Sequence, residues 1–129
     1  MNTTRATGTF EVQLASLTPY NTDDPTLGRR SIDKQFHGGL EATSKGEMLS
    51  AATSGYVAIE RVTGSLDGRT GTFTLQHSAT MNRGVPTLSV SVVPDSGTGE
   101  LAGLTGTMMI IISGGKHAYE FDYVLSVRG

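Results

Sequence analysis

The chain has 129 residues, a formal net charge of −2 and no cysteine, and its ten Lys and Arg are scattered without a run. This excludes disulfide stapling, thiolate catalysis and Cys-based zinc sites, and it speaks against nucleic acid as a partner, which needs a clustered positive field. Apolar residues make up 36%, and 17 glycines stand beside plentiful Ser and Thr, a balance that suits strands and tight turns better than packed helices.

No stretch approaches the ~20 apolar residues of a membrane span; the longest apolar run, Met108 to Ile112, has strand length. Met1 leads into Asn-Thr-Thr-Arg, without an apolar signal core. The expectation is one domain over residues 1–129, cytoplasmic, with no membrane contact.

Period-2 alternation recurs along the chain. Phe10, Val12 and Leu14 alternate with Thr9, Glu11 and Gln13 in a first strand, and Pro19 to Gly28 is a long Pro-, Asn- and Asp-rich loop. Arg29 to His37 is extended, Gly38-Gly39 turns the chain, and Leu40 to Ser50 runs back. Gly55 to Leu66 and Arg69 to Thr80 flank Asp67-Gly68, the strongest short-range hairpin signal. Asn82-Arg83-Gly84 turns again, and Thr87 to Val93 is a strand ended by Pro94. Asp95 to Thr105 is too rich in glycine for a strand and reads as a compact loop or short helical turn. Gly106 to Ser113 and His117 to Val127 are the last strands, joined by Gly114-Gly115. Eight strands on short turns imply an antiparallel meander. Closure into a barrel removes the two exposed edges that an open sheet would leave, and a two-sheet sandwich is the alternative.

The Asp67-Gly68 hairpin permits register arithmetic. With two loop residues, Leu66 pairs with Arg69, Val62 with Phe73, Glu60 with Leu75 and Ala58 with His77. That face is apolar apart from Glu60 and His77, so it should point inward. A carboxylate is almost never buried without a partner, and His77 is the nearest candidate. Along the last strand, His117, Tyr119, Phe121, Tyr123 and Leu125 share a face. Leu88, Val90 and Val92, with Met108, Ile110 and Ile112, would complete the apolar wall. At Gly38-Gly39 a two-residue loop pairs His37 with Leu40, and a bulged loop pairs Phe36 with Leu40. The second is preferred because it puts Ile32, Phe36, Leu40 and Met48 on one face, together with Lys34.

Three segments, QFHGGLEATSKGEML (35–49), GYVAIERVTGSLDGRTGTFTLQHSAT (55–80) and VVPDSGTGELAGLTGT (93–107), carry a family resemblance. Glu60-Arg61, Leu75-Gln76-His77 and Ser96-Gly97-Thr98-Gly99 in combination resemble a bacterial family of unknown function with an allene-oxide-cyclase-like barrel. The resemblance covers residues 8 to 127 and implies an eight-stranded barrel. It implies distant likeness in fold to allene oxide cyclases and dirigent proteins, which hold a hydrophobic substrate in the barrel and form trimers. A homo-oligomer is therefore a further expectation, of unread order.

Three functions are compatible with these features. The first is a small-ligand-binding barrel for a mostly apolar molecule with one polar group, contacted by Glu60, His77, Tyr119, Tyr123, His117, Phe73 and Leu75. The second is an isomerase or cyclase in which Glu60 and His77 are the catalytic pair, burial raising the Glu60 pKa towards neutrality. The third is a structural, oligomer-forming barrel without ligand. His37, His77 and His117 match no metal-ligand spacing, so neither metal nor cofactor is expected. GTGELAG lacks the long helix and the Lys-Ser/Thr pair of a phosphate-binding loop.

Overall fold

The computed structural model describes residues 3–125. Its eight strands are β1 (Thr4–Leu17), β2 (Leu27–Gly38), β3 (Leu40–Ala51), β4 (Gly55–Leu66), β5 (Arg69–Asn82), β6 (Val85–Val92), β7 (Thr105–Ser113) and β8 (Lys116–Val124). They follow one another in chain order around a closed antiparallel barrel, with β8 pairing back onto β1. The alternation therefore read the architecture correctly, and the sandwich is set aside.

The Asp67-Gly68 hairpin has the expected register, Val62 opposite Phe73, Glu60 opposite Leu75 and Ala58 opposite His77. Both loop residues take positive φ, 48° and 87°, as a two-residue turn matched to strand twist requires. The face read as inward is the core face: Val62, Leu66, Phe73 and Leu75 are buried.

The β2–β3 hairpin takes neither expected register. Phe36 pairs with Ala42 and Lys34 with Ser44, which leaves Gly39 alone at the bend. Distant groups hold this turn. The Gly39 N–H donates to the Thr7 carbonyl at 3.0 Å, and the Gly39 carbonyl accepts from the Asp67 N–H at 2.8 Å. The Gly38 N–H donates to the Glu41 carboxylate. A slip of two residues preserves the side-chain face, so Ile32, Lys34, Phe36 and Leu40 do point inward and are buried.

The two barrel ends differ. One carries the bends at Gly39 and Asp67-Gly68, together with the connection 93–104. A 3-10 turn at Gly99–Leu101 lies in that connection, and Leu101 and Leu104 fill the end, each 1% exposed. The connection is fastened to β5 by Thr98 N–H to the Thr72 carbonyl at 2.8 Å and Thr74 N–H to Ser96 Oγ at 3.0 Å. Among the described residues nothing comparable fills the other end. There Leu14, Leu88 and Ile112 face inward yet remain 45%, 42% and 67% exposed.

The expected apolar wall is corrected accordingly. Val90, Val92 and Met108 are in the core, Ile110 packs against its edge, and Leu88 and Ile112 stand above it. The physical reason is their place at the unplugged end, where Leu14 on β1 is exposed as well. The β6–β7 seam has one register pair, Ser91 with Thr107. Beyond it the strands no longer hold each other. Among the described residues no helix is long and apolar enough to cross a membrane.

Candidate functional site

Glu60 sits at the middle of β4, completely buried, with Lys34, Ser44 and His77 around it at 8%, 3% and 4% exposure. Its Oε2 accepts from Lys34 Nζ at 2.8 Å and faces His77 Nε2 at 2.5 Å. Its Oε1 accepts from the Ser44 hydroxyl at 2.8 Å. The Lys34 ammonium lies 4.9 Å from the centre of the Phe10 ring, within cation–π range.

The backbone makes room for this group at Gly46, which pairs with Glu60 across β3–β4. A Cβ on residue 46 would lie 2.1 Å from the Ile59 carbonyl oxygen and 2.6 Å from the Glu60 Cα. Only a glycine lets the strands approach so closely there.

Burial alone would raise the pKa of Glu60. The His77 hydrogen bond and the Lys34 charge outweigh it and hold the carboxyl at about 2. The expectation of a raised value is thereby corrected: Glu60 is ionised at neutral pH and its proton-accepting sites are already occupied. With Glu60 as carboxylate, His77 Nε2 carries the hydrogen and donates it.

The phenols anticipated as companions of Glu60 serve the opposite end. Tyr119 accepts from the Leu40 N–H at 2.9 Å and donates to the His37 carbonyl at 2.9 Å, which fastens β8 to the β2–β3 bend. Tyr123 donates to the Asp67 carboxylate at the β4–β5 turn. Burial, then Asp67, raise its pKa to about 12, so it remains a donor. Since Glu60 is six residues from Leu66, roughly 20 Å of strand separates the two groups. Phe73 stacks on Phe121 with ring centroids 5.7 Å apart, and Leu75 is fully buried beside them.

His117 is half-buried with its ring 5.2 Å from that of Phe10, on the side of the unplugged end. His37 faces outward and meets the Glu11 carboxylate at 2.8 Å. The three histidines therefore lie in three separate surroundings. Of the expected set, the fold brings together Glu60 and His77.

Lys34 and Ser44 complete the group, and sequence reasoning did not connect them to it. Lys34 was placed on the inward face, which was the available signal. Its partner could be named only with the β2–β3 register in hand. Tyr56, half-buried near the unplugged end, was also missed; burial and then the Glu60 charge raise its pKa.

A hollow of about 740 Å³ lies elsewhere, on the outer wall of β2–β5 beneath Thr18 and Tyr20. Leu49, Val57 and Ile59 line it, 53–56% exposed. Arg29 anchors its rim through Glu47 at 2.8 Å and the Thr18 carbonyl at 3.3 Å. Smaller hollows open at the rim of the unplugged end, about 250 Å³ beside Tyr56, Ala79 and Leu88, and at the β6–β7 seam.

No curated protein matches the chain. A crystal structure of a protein of unknown function from the DUF3224 family, from Shewanella oneidensis MR-1, is similar over 98% of this chain and 100% of that one, with 47% identity and a TM-score of 0.90. The family model for proteins of unknown function, DUF3224, matches residues 6–123. With this much of its length accounted for, the chain belongs to the DUF3224 family.

Proposed function

We propose that this protein is a small-ligand-binding barrel that holds a mostly apolar molecule at its unplugged end. One observation carries the reading: Leu14, Leu88 and Ile112 point inward and are still 42–67% exposed, while the other end is filled by Leu101 and Leu104. Inward apolar side chains stay wet only where the protein itself supplies nothing to cover them, and a concave apolar surface with few polar groups is the usual form of a ligand site. Val12, Met48, Tyr56, Ala79 and Ile110 continue this surface downward, and the Lys34–Glu60–His77 group underlies it.

Binding is favoured over proton transfer. A general acid or base should titrate near the working pH, and Glu60 is held at about 2 with three donors on it. The group serves as a rigid charged floor, and the one polar contact for a ligand comes from Tyr56 or His117 nearer the mouth.

The test is a titration with Nile red, an uncharged solvatochromic dye. Saturable binding at one site is expected, weakened at least tenfold by Ile112→Asp and by Leu88→Asp, and unchanged by Ile59→Asp on the outer wall. Loss on Ile59→Asp alone would move the site to the outer hollow. No binding by the natural sequence would leave the barrel without this role.

A further inference from the structure

We infer that the ligand enters through the side of the barrel, between β6 and β7, and that this seam is its portal; the inference rests on the ligand-binding role proposed above. Around the cylinder every other pair of neighbours is joined by a ladder of seven or more register pairs. β6 and β7 share one, Ser91 with Thr107. Beyond it, towards the unplugged end, β6 bonds to β5 on one side and β7 to β8 on the other, and the two edges that face each other carry no ladder.

Unpaired backbone edges lose protein hydrogen bonds and gain hydration, so their separation costs little compared with opening a full ladder. The origin of the gap lies in the chain path. β6 and β7 are joined by the connection 93–104, which is fastened along β5 at the plugged end instead of turning directly from one strand into the next.

A hollow of about 200 Å³ sits at the gap, lined by Leu88, Thr107, Met108, Met109, Ile110 and Asp122. Its lining mixes the two faces of the wall. Leu88, Met108 and Ile110 belong to the inward set, and Met109 lies on the outward set with Asp122, which bonds Arg5 on the exterior.

The chemistry of the passage matches the ligand class. Met109 is 60% and Leu88 42% exposed. The carboxylate at the outer lip is already paired with Arg5, at 2.7 and 3.0 Å. β7 is apolar on both faces from Met108 to Ile112, and the flexible thioethers of Met108 and Met109 suit a gap that must open and reclose. An uncharged apolar molecule meets no unpaired charge along this path.

The test ties the seam shut. Drawing the seam shut would continue the register from Ser91 and Thr107 and bring Ser89 opposite Met109, both exposed. The chain has no cysteine of its own, so Ser89→Cys with Met109→Cys gives a single bridgeable pair, closed by oxidation or by a short bismaleimide. Thr43→Cys with Thr63→Cys, across the fully laddered β3–β4 pair, is the control bridge. Stopped-flow mixing with Nile red reads the rates. The seam bridge is expected to slow both association and dissociation at least tenfold with the equilibrium affinity changed less than threefold, and reduction of the disulfide is expected to restore them; the control bridge leaves the rates unchanged.

Equal rates with and without the seam bridge would overturn the portal while the ligand role stands. Absence of dye binding in every form would overturn the ligand role, and the portal with it. Hydrogen exchange supplies a second measurement on the unmodified chain. Amides of residues 87–90 and 108–112 that point into the seam should exchange at least a hundredfold faster than the laddered amides of β4 and β5, and equal protection would show a seam that does not open.

Discussion

Replacing Glu60 by Gln keeps the side-chain volume and removes its charge. The Lys34 ammonium, 8% exposed, then has no carboxylate, and its other neighbours are the Phe10 and Phe36 rings at 4.9 and 5.8 Å. Breaking a buried ion pair from one side costs about 3–5 kcal/mol, because the remaining charge is stranded. For a domain of ordinary stability, about 5–15 kcal/mol, this is a large share. With a urea m-value of ~2 kcal/mol/M, the midpoint should fall by about 2 M. Lys34→Met in the Glu60→Gln background should then restore at least ~1 kcal/mol, since it removes the stranded ammonium, whereas Lys34→Met in the natural background should be costly. Urea denaturation followed by far-UV circular dichroism measures all four proteins. A Glu60→Gln midpoint within experimental error of the parent, or a Lys34→Met effect of equal size in both backgrounds, would refute the assignment of Glu60 as the charge that justifies a buried lysine.

Acid should weaken the protein through the same residue. The Glu60 pKa is lowered from 4.5 to about 2 on folding, so its contribution, on the order of 3 kcal/mol, is fully present above pH about 4.5 and is lost as pH falls towards 2; denaturation midpoints across that range should show a component missing from Glu60→Gln. Tyr119→Phe leaves the buried Leu40 N–H without its acceptor and should cost about 1–3 kcal/mol in a urea melt, with dye binding at the distant mouth unchanged. Gly46→Ala would force a Cβ to within 2.1 Å of the Ile59 carbonyl and should lower the melting temperature more than Gly55→Ala, where a Cβ meets nothing nearer than the Ala79 carbonyl oxygen at 3.5 Å; equal losses would show that β3–β4 yields freely.

The legibility of the site in the sequence followed the range of the interactions that build it. Asp67-Gly68 is a local signal with a defined turn geometry, so the Glu60 and His77 pairing could be counted outward from it residue by residue. Gly38-Gly39 looks equally simple, yet its bend is held by Thr7 and Asp67, groups far away in the chain. Register there was unreadable, and with it the meeting of Lys34 and Ser44 with Glu60. The alternation in β6 and β7 identified inward residues correctly, but periodicity reports a side and not a depth. It could not separate Val90, which is packed, from Leu88, which is wet. The aromatic face of β8 illustrates the same limit in another form. A phenol on an inward face can line a cavity or fasten a turn, and only the position of the turns distinguishes the two.

The way the cylinder closes bears on how it must fold. β1 and β8 pair from Thr4 with Tyr123 to Phe10 with His117, so the final ladder joins stretches more than a hundred residues apart. Such a contact returns nothing until nearly all of the chain is already arranged. The β2–β3 and β4–β5 hairpins can form early and on their own. The β1–β8 zipper waits for them, and the Arg5–Asp122 pair and the Tyr119 bond to Leu40 appear only when it does. Folding on the slow side of the millisecond-to-second range follows from this topology, with the loss of a few terminal residues of β1 felt as failure of the whole barrel rather than as a frayed edge.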